Sequence, residues 1–187
     1  MACPVAFAHG DSCLACRVRG DIIASMIRHA IIPAAGRGTR MGSAMRALPK
    51  EMLPVAGTPV IRHVVEELAA VGICQATIVI SEGKESIREY FEGTPVPGVA
   101  VTFAYQPEPL GLGHAVVCGR GVIGDEPFMV LLGDTIIEAD TPATRQLLDV
   151  YASTPQASVL LEDVPRDQVG RYGIASGSAI ADGVIQV

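Results

Sequence analysis

The basic side chains between residues 37 and 50 are the first feature that suggests chemistry, and they are Arg37, Arg40, Arg46 and Lys50. No acidic residue interrupts this stretch, although the protein has a formal net charge of -6. Gly36 and Gly38 lie in or beside the stretch, and glycine lets backbone N–H groups approach an anion closely. Arg40 and Lys50 can add charge-assisted hydrogen bonds to the same anion. The stretch therefore indicates a site for a small polyanion, such as a nucleoside triphosphate.

The spacing of the glycines excludes two common phosphate loops. No G-K-[ST] follows the glycines, so the segment is not a Walker A loop. Glycines at 36, 38 and 42 also miss the G-x-G-x-x-G spacing of dinucleotide-binding loops. Two glycines by themselves are more typical of a plain strand-to-helix turn, and that alternative stays open at this point.

Gln106 lies in YQPEPLGLGHAV, a loop that follows a predicted strand and leads into a predicted helix. Its side chain has a carbonyl and an amide group, so it can match a donor and an acceptor on a pyrimidine edge. A loop glutamine is otherwise usually just solvated. His114 in the same segment could be a general base, but its position favours a residue at the start of the helix.

Asp134 follows the fully apolar segment PFMVLL, at the carboxyl end of a predicted strand. Ligands of open α/β sheets bind at that edge. A carboxylate is a suitable hard ligand for Mg²⁺ bound to a nucleotide. The alternative is a turn aspartate that caps the next element.

Short apolar runs alternate with amphipathic stretches from Arg28 onward, which predicts βαβ units around a mostly parallel sheet. The predicted strands are HAIIP, ATIVI, VAVTFAY, PFMVLL, ASVLLE and YGIAS. The predicted helices are the stretch after Thr58, KESIREYF, LGHAVVCGR and TPATRQLLDVYAS. For the first helix we expect Thr58 as the cap, Pro59 in the first turn and Gly72 at the end. Residues 28–187 are thus expected to form one α/β domain.

Composition limits the partners and the compartment. A chain of 187 residues with 49% hydrophobic and 18% charged residues is typical of one globular domain. The acidic net charge argues against nucleic acid, and no apolar run approaches the roughly 18 residues of a membrane helix. Five cysteines, an odd number, fit reduced thiols, and residues 1–20 lack a secretory pattern, so we expect a cytoplasmic protein.

Residues 1–27 show no helix or strand period, and we expect a poorly ordered extension there. A zinc site in this segment is a weaker alternative, because it has one C-x-x-C and no second pair of suitable spacing. Its potential ligands are Cys3, His9, Cys13 and Cys16.

The segment AAGRGTRM followed by PKEMLP resembles the signature loop of the sugar-1-phosphate nucleotidyltransferases, most closely their UTP:glucose-1-phosphate uridylyltransferase branch. The resemblance implies that Lys50 reaches the phosphates and that the nucleotide is wrapped by Ala35, Gly36, Gly38, Thr39 and Arg40. Arg46 departs from the lysine usual in that branch, which keeps the charge but changes its geometry.

Three further segments extend the resemblance. QPEPLGLGHA is similar to the family's base-recognition loop, which implies that Gln106 and Gly111 contact uracil or thymine, although Leu110 replaces a common lysine. VLLGD is similar to the family's first metal site, which implies Asp134 as a ligand of Mg²⁺. YGIAS is similar to a Y-G-V-V stretch, which implies that Gly173 lies against the sugar.

The resemblance implies a Rossmann-like three-layer α/β domain that makes UDP-glucose and pyrophosphate from UTP and glucose 1-phosphate. Arg40, Lys50 and Asp134 would then be the catalytic residues, and a homo-oligomer of the full-length form is compatible with it. The LGD motif and the short connection between residues 92 and 105 favour a thymidylyltransferase instead, and a non-catalytic nucleotide-binding module is a third possibility.

The family's later V-E-K-P motif and its second metal-binding aspartate do not occur before Val187. We therefore expect the domain to be incomplete at its carboxyl end. For this chain we expect poor solubility and turnover at least about a thousandfold below that of an intact relative.

Overall fold

The computed structural model describes residues 27–36 and 48–187. The strands are β1 (His29–Pro33), β2 (Pro54–Val55), β3 (Thr58–Pro59), β4 (Gln75–Ile80), β5 (Ala100–Tyr105), β6 (Phe128–Val130), β7 (Ser178–Ala181) and β8 (Val184–Gln186). The α-helices are α1 (Val60–Val71), α2 (Glu85–Gly93), α3 (Leu112–Ile123) and α4 (Ala143–Ser153). Short 3₁₀ helices span Lys50–Met52 and Val169–Arg171.

Four of the strands form a parallel sheet in the order β5-β4-β1-β6. Side chains of β1 alternate between its faces, as a pleated strand requires. Ala30 and Ile32 pack in a large apolar core that also contains residues of α1, α2 and α4. Ile31 packs on the opposite face against Ala115 of α3. The predicted three-layer α/β architecture with a parallel sheet is therefore confirmed.

Helix α3 lies very close to the sheet because of one glycine. A Cβ atom at Gly119 would lie 2.6 Å from Cγ2 of Ile31 and 3.1 Å from Cγ2 of Val79. Only glycine therefore fits this helix face without a shift of the strand side chains. Since α3 begins directly after the loop that contains Gln106, this contact also fixes the position of that loop.

Helix α1 ends as predicted and begins differently. Gly72 follows its last residue with a φ of 87°, the left-handed conformation that favours glycine. The prediction that Thr58 caps the helix is wrong, since Thr58 and Pro59 pair with Val55 and Pro54 in a small antiparallel ribbon. The N–H group of Val60 donates instead to the carbonyl of Leu53 at 3.0 Å. The carbonyl of Leu53 thus accepts the hydrogen bond that the Thr58 side chain was expected to accept.

Three strand predictions in the second half of the chain need correction. PFMVLL forms a strand only over Phe128–Val130, while ASVLLE and YGIAS form none. Residues 157–160 instead line an apolar cleft of about 750 Å³ beside β6. A strand requires a hydrogen-bonding neighbour, and within the described ranges none pairs with 157–162 or 172–176.

The antiparallel hairpin of β7 and β8 was missed. It turns at Asp182 and Gly183, and Gly183 has a φ of 67°. Asp-Gly between apolar residues is the usual signal of a two-residue hairpin turn, so the sequence did contain the information.

The predicted extension and zinc ligands fall on residues 1–26, outside the described residues, and both stay predictions. Ile27, the last residue of the predicted extension, is instead buried in the core.

Across 27–36 and 48–187, no group of three or more His, Cys, Asp or Glu residues could hold a metal ion. Helices long and apolar enough to cross a membrane are also lacking in these two ranges.

Candidate nucleotide site

The carboxyl ends of the four parallel strands meet at one edge of the sheet. Ala35 follows β1, Lys84 follows β4, Gln106 follows β5 and Asp134 follows β6. The chain moves from β1 to β4 and β5 on one side, and then places β6 on the other side of β1. The order therefore reverses between β1 and β6, and in doubly wound sheets ligands bind at this point.

The end of β1 is held in place by β4. Ala34 donates its N–H to the carbonyl of Val79 at 2.8 Å, and the hydroxyl of Ser81 donates to the carbonyl of Ala35 at 3.1 Å. Ala35 is buried, whereas Gly36 is exposed. The sequence-predicted residues Gly38, Thr39 and Arg40 lie outside the described residues. Strand β4 thus fixes the point from which the glycine-containing stretch that starts at Gly36, called the glycine loop below, continues.

Lys50 and Asp134, predicted separately from the sequence, are brought together. The Nζ atom of Lys50 forms an ion pair and hydrogen bond with Oδ2 of Asp134, across 84 positions in the chain. Their side chains are 31% and 34% exposed, so a ligand can reach both. The ammonium group neutralises the carboxylate at the point where the sheet order reverses.

Gly133 allows Asp134 to lie close to the end of β1. A Cβ atom at Gly133 would lie 3.2 Å from Cγ2 of Ile32 and 3.4 Å from the carbonyl oxygen of Pro33. The glycine lets the loop after β6 lie directly against the end of β1. Asp134 is thereby placed beside the segment from which the glycine loop starts.

Glu51 and Lys84 form a buried ion pair that the sequence analysis missed. Both carboxylate oxygens of Glu51 lie 2.8 Å from Nζ of Lys84, which also donates to the carbonyl of Ala34. The side chains are only 2% and 9% exposed. The pair joins the end of β1, the segment after β4 and the 3₁₀ helix that begins with Lys50. It therefore holds Lys50 in position.

Two features of the sequence draw attention to these residues but do not reveal that they pair. Lys84 is one of only two lysines in the chain, and it directly follows a buried strand and a short turn. Glu51 is adjacent to Lys50 within PKEMLP. Neither residue type is normally buried without a partner, but the sequence does not show which residues will be buried.

Gln106 is buried at 4% exposure and its amide is fixed by its neighbours. Nε2 donates to the carbonyl of Gly111 at 3.1 Å and lies 3.0 Å from Nδ1 of His114. Gly111 precedes α3 with a φ of 97°, which other residues rarely adopt. The structure thus joins by a hydrogen bond the two residues to which the family resemblance assigns contact with the base.

Asp134 fits one kind of metal site. Mg²⁺ is commonly held by one or two carboxylates together with substrate phosphates and water. In the described part of the chain, Asp134 supplies one partly exposed carboxylate and no larger ligand cluster surrounds it. The residues therefore fit a metal that arrives with a nucleotide, and not a site made of protein ligands alone.

Gly173 is not tied to these residues. It lies in an exposed segment between the second 3₁₀ helix and β7, and a Cβ atom there would meet nothing within 4 Å. The backbone hydrogen bonds described for residues 165–173 are all local. Its role against a sugar stays a prediction.

The fold is that of an α/β protein with a parallel sheet and a candidate site at the reversal of strand order, and comparison with known proteins gives its family. The family described as Nucleotidyl transferase matches residues 29–186, and the chain belongs to it. UTP–glucose-1-phosphate uridylyltransferase of Bacillus subtilis strain 168 is 41% identical, over 79% of this chain and 58% of the relative. The protein of that name from Staphylococcus epidermidis is 40% identical, over 82% of this chain and 60% of the relative.

Comparison with solved structures also finds proteins of this kind. A UTP-bound UDP-glucose pyrophosphorylase from Acinetobacter baumannii superposes with a TM-score of 0.76 at 33% identity, over 83% of this chain and 63% of that one. A putative glucose-1-phosphate thymidylyltransferase from Bacillus anthracis gives 0.59 at 26% identity, over 67% of this chain and 50% of that one. The chain thus spans about three fifths of the curated relatives it matches.

Proposed function

We propose that this chain carries the nucleotide site of a uridylyltransferase, which transfers UMP from UTP to glucose 1-phosphate and releases pyrophosphate. The proposal rests mainly on one observation. Gln106 and Asp134 follow two strands of the parallel sheet and lie at its carboxyl edge, where Asp134 pairs with Lys50. The glutamine that we propose to read the pyrimidine and the ion pair that we propose to meet the phosphates therefore lie at one edge of the sheet. Relatives named for this reaction, at 40–41% identity, support the same substrate pair.

The residues have separable roles in this proposal. Gln106 and Gly111 contact the base. Ala35, Gly36, Gly38 and Thr39 wrap the nucleotide, and Arg40 and Lys50 neutralise its phosphates. Asp134 holds a divalent ion, for which we propose Mg²⁺, and the bound ion supplies positive charge that balances the phosphates. Gly173 is proposed to contact the sugar.

The reaction needs positioning more than acid–base chemistry. An oxygen of the glucose 1-phosphate group attacks the α-phosphorus of UTP, and the bond to pyrophosphate breaks on the opposite side. No covalent enzyme intermediate is required. Lys50, whose 3₁₀ helix is joined to the sheet by the Glu51–Lys84 pair, and Arg40 contribute by neutralising charge. Charge neutralisation together with positioning is the main means of catalysis in phosphoryl transfer. A cytoplasmic location and a homo-oligomer of the full-length form stay predictions.

Nucleotide binding without transfer is a second candidate function. The chain spans about three fifths of its relatives, and Asp134 is the one carboxylate that the described residues bring to the Lys50 ammonium. A site with one such carboxylate can hold a nucleotide and its metal while it lacks groups that would position the attacking phosphate. Thymidylyl transfer is a further variant, because uracil and thymine present the same hydrogen-bonding edge to Gln106.

Product formation separates these functions. The purified chain is incubated with Mg²⁺, glucose 1-phosphate and either UTP or dTTP, and sugar nucleotide and pyrophosphate are quantified by chromatography. UDP-glucose formed faster than the dTDP product supports the proposal. UTP binding without product supports the binding module, and a chain that binds neither nucleotide contradicts both.

A further inference from the structure

His114 contacts the base-reading glutamine but has no role in the proposed reaction. It is the third residue of α3, and its Nδ1 atom lies 3.0 Å from Nε2 of Gln106 and 3.2 Å from the carbonyl oxygen of Glu108. Its other nitrogen, Nε2, lies 3.9 Å from Sγ of Cys118. The imidazole therefore lies between the base loop and the helix.

The orientation of the Gln106 amide follows from chemistry. A carbonyl oxygen can only accept a hydrogen bond, so the atom of Gln106 that faces the Gly111 carbonyl at 3.1 Å must be the amide nitrogen. That nitrogen has two hydrogens and accepts none. One hydrogen goes to Gly111, and the other points to Nδ1 of His114.

The tautomer of His114 follows in turn. Nδ1 can accept from Gln106 only when it carries no proton, so the proton of the neutral ring lies on Nε2, toward Cys118. In the opposite tautomer, the Nδ1–H group of His114 would donate to the carbonyl oxygen of Glu108. One amide hydrogen of Gln106 would then face that N–H group and have no acceptor. Because Gln106 is 4% exposed, that arrangement buries an unpaired donor, whereas the exposed Glu108 can bind water instead.

We propose that His114 is a specificity-determining positioning residue, which fixes the Gln106 amide so that only its carbonyl oxygen faces a pyrimidine. This inference rests on the proposed function, since it assumes that Gln106 reads the base. Both amide hydrogens are engaged with the protein, so the free function of Gln106 is acceptance. N3 of uracil carries a hydrogen and N3 of cytosine does not. The arrangement therefore selects UTP over CTP.

Calorimetry with UTP and CTP in the presence of Mg²⁺ tests the inference. The unmodified chain should prefer UTP, and His114→Ala should reduce the ratio of the two affinities by about tenfold, the effect of one lost hydrogen bond in a buried site. His114→Asn should keep most of the ratio, because its side-chain oxygen can accept near the position of Nδ1. His63→Ala is the matched control and should leave the ratio unchanged, since His63 bonds the distant Val55 carbonyl.

Nitrogen NMR of the unmodified, nucleotide-free chain gives a second readout that does not depend on folding of a variant. We expect Nδ1 of His114 to be unprotonated and Nε2 to carry the proton. A proton on Nδ1, or a folded His114→Ala variant with the full UTP preference, would overturn the inference while the proposed function stands. A chain that shows no preference for UTP over CTP before mutation would overturn the base assignment itself.

Discussion

Lys50 and Asp134 set the local charge at the carboxyl edge of the sheet. Each is about a third exposed, at 31% and 34%, so their direct contact adds little to folding stability. Its proposed importance is functional, because the two opposite charges would each find a partner in a triphosphate and its metal ion. The ion pair is therefore expected to rearrange when a nucleotide binds.

Asp134→Asn should reduce the gain in UTP affinity that Mg²⁺ provides. The amide keeps the shape and can still accept from Lys50, but it removes the negative charge that a metal requires. We expect the gain to fall by about tenfold, as for loss of one charged contact. Calorimetric titrations with and without Mg²⁺ measure this difference.

Asp140→Asn is the matched control, because Asp140 is an exposed carboxylate in the same connection between β6 and α4. It should leave the Mg²⁺ dependence intact. Equal effects of the two substitutions would show that the dependence arises from overall charge, and Asp134 would lose its assignment as metal ligand.

The sequence analysis grouped residues that are close in the chain and missed a contact between distant ones. Gln106 and Gly111 belong to one loop, so their association could be foreseen. Glu51 and Lys84 are 33 positions apart, and only the packing of β1 against β4 brings them together. Their burial could not be deduced from charged residues in polar-looking segments.

At the scale of elements, the Glu51–Lys84 pair joins the 3₁₀ helix at Lys50–Met52 to the parallel sheet. Lys84→Met leaves the Glu51 carboxylate buried without its partner, and we expect a loss of about 3–5 kcal/mol in the free energy of unfolding. Urea denaturation followed by circular dichroism measures this loss.

The double substitution Glu51→Met with Lys84→Met should cost less than Lys84→Met alone, since it removes both buried charges. Full additivity of the two single losses would instead show that the two side chains do not stabilise each other. The same variants also report on the site, because a displaced 3₁₀ helix would move Lys50.

Helix α3 offers a second test, with two glycines on one helix. Gly119→Ala should destabilise the fold by about 1–3 kcal/mol, because the new methyl group would lie 2.6 Å from Cγ2 of Ile31. Gly121→Ala meets nothing within 4 Å and should stabilise the helix by about 0.5–1 kcal/mol. Thermal unfolding of both variants compares them, and effects of the same sign would contradict the close packing of α3 on the sheet.

Helices were predicted more accurately than strands, because a helix forms its hydrogen bonds within itself while a strand needs a neighbouring strand. Helices α1 to α4 were all predicted, α1 from its apolar face, α3 from the glycines at its start and α4 from the nearby Pro142. Strands β1, β4 and β5 were predicted from short apolar runs with helices between them. ASVLLE has the composition of a strand but forms none, because strand formation also requires a neighbour that composition does not reveal. The β7–β8 hairpin was missed although Asp182-Gly183 marks its turn.

At the scale of the whole molecule, topology reconciles the acidic net charge with the proposed binding of a polyanion. The formal net charge is -6, yet the reversal of strand order places Lys50 and the start of the glycine loop together. The proposed binding surface therefore depends on the residues that meet at this edge and not on the total charge. The apolar cleft of about 750 Å³ beside β6 exposes further hydrophobic surface, in keeping with the poor solubility that we expect.

The most direct test of the account is calorimetric titration of the unmodified chain with UTP, ATP and GTP in the presence of Mg²⁺. Gln106, held by Gly111 and His114, should accept a hydrogen bond from the N3–H group of uracil. Adenine has no ring N–H to donate there, and the N1–H group of guanine lies farther from the ribose than the N3–H group of uracil does. We predict measurable UTP binding that is at least about tenfold tighter than binding of either purine nucleotide. Equal affinities for the three nucleotides, or no binding of UTP, would contradict the assignment of this sheet edge as a uridine nucleotide site.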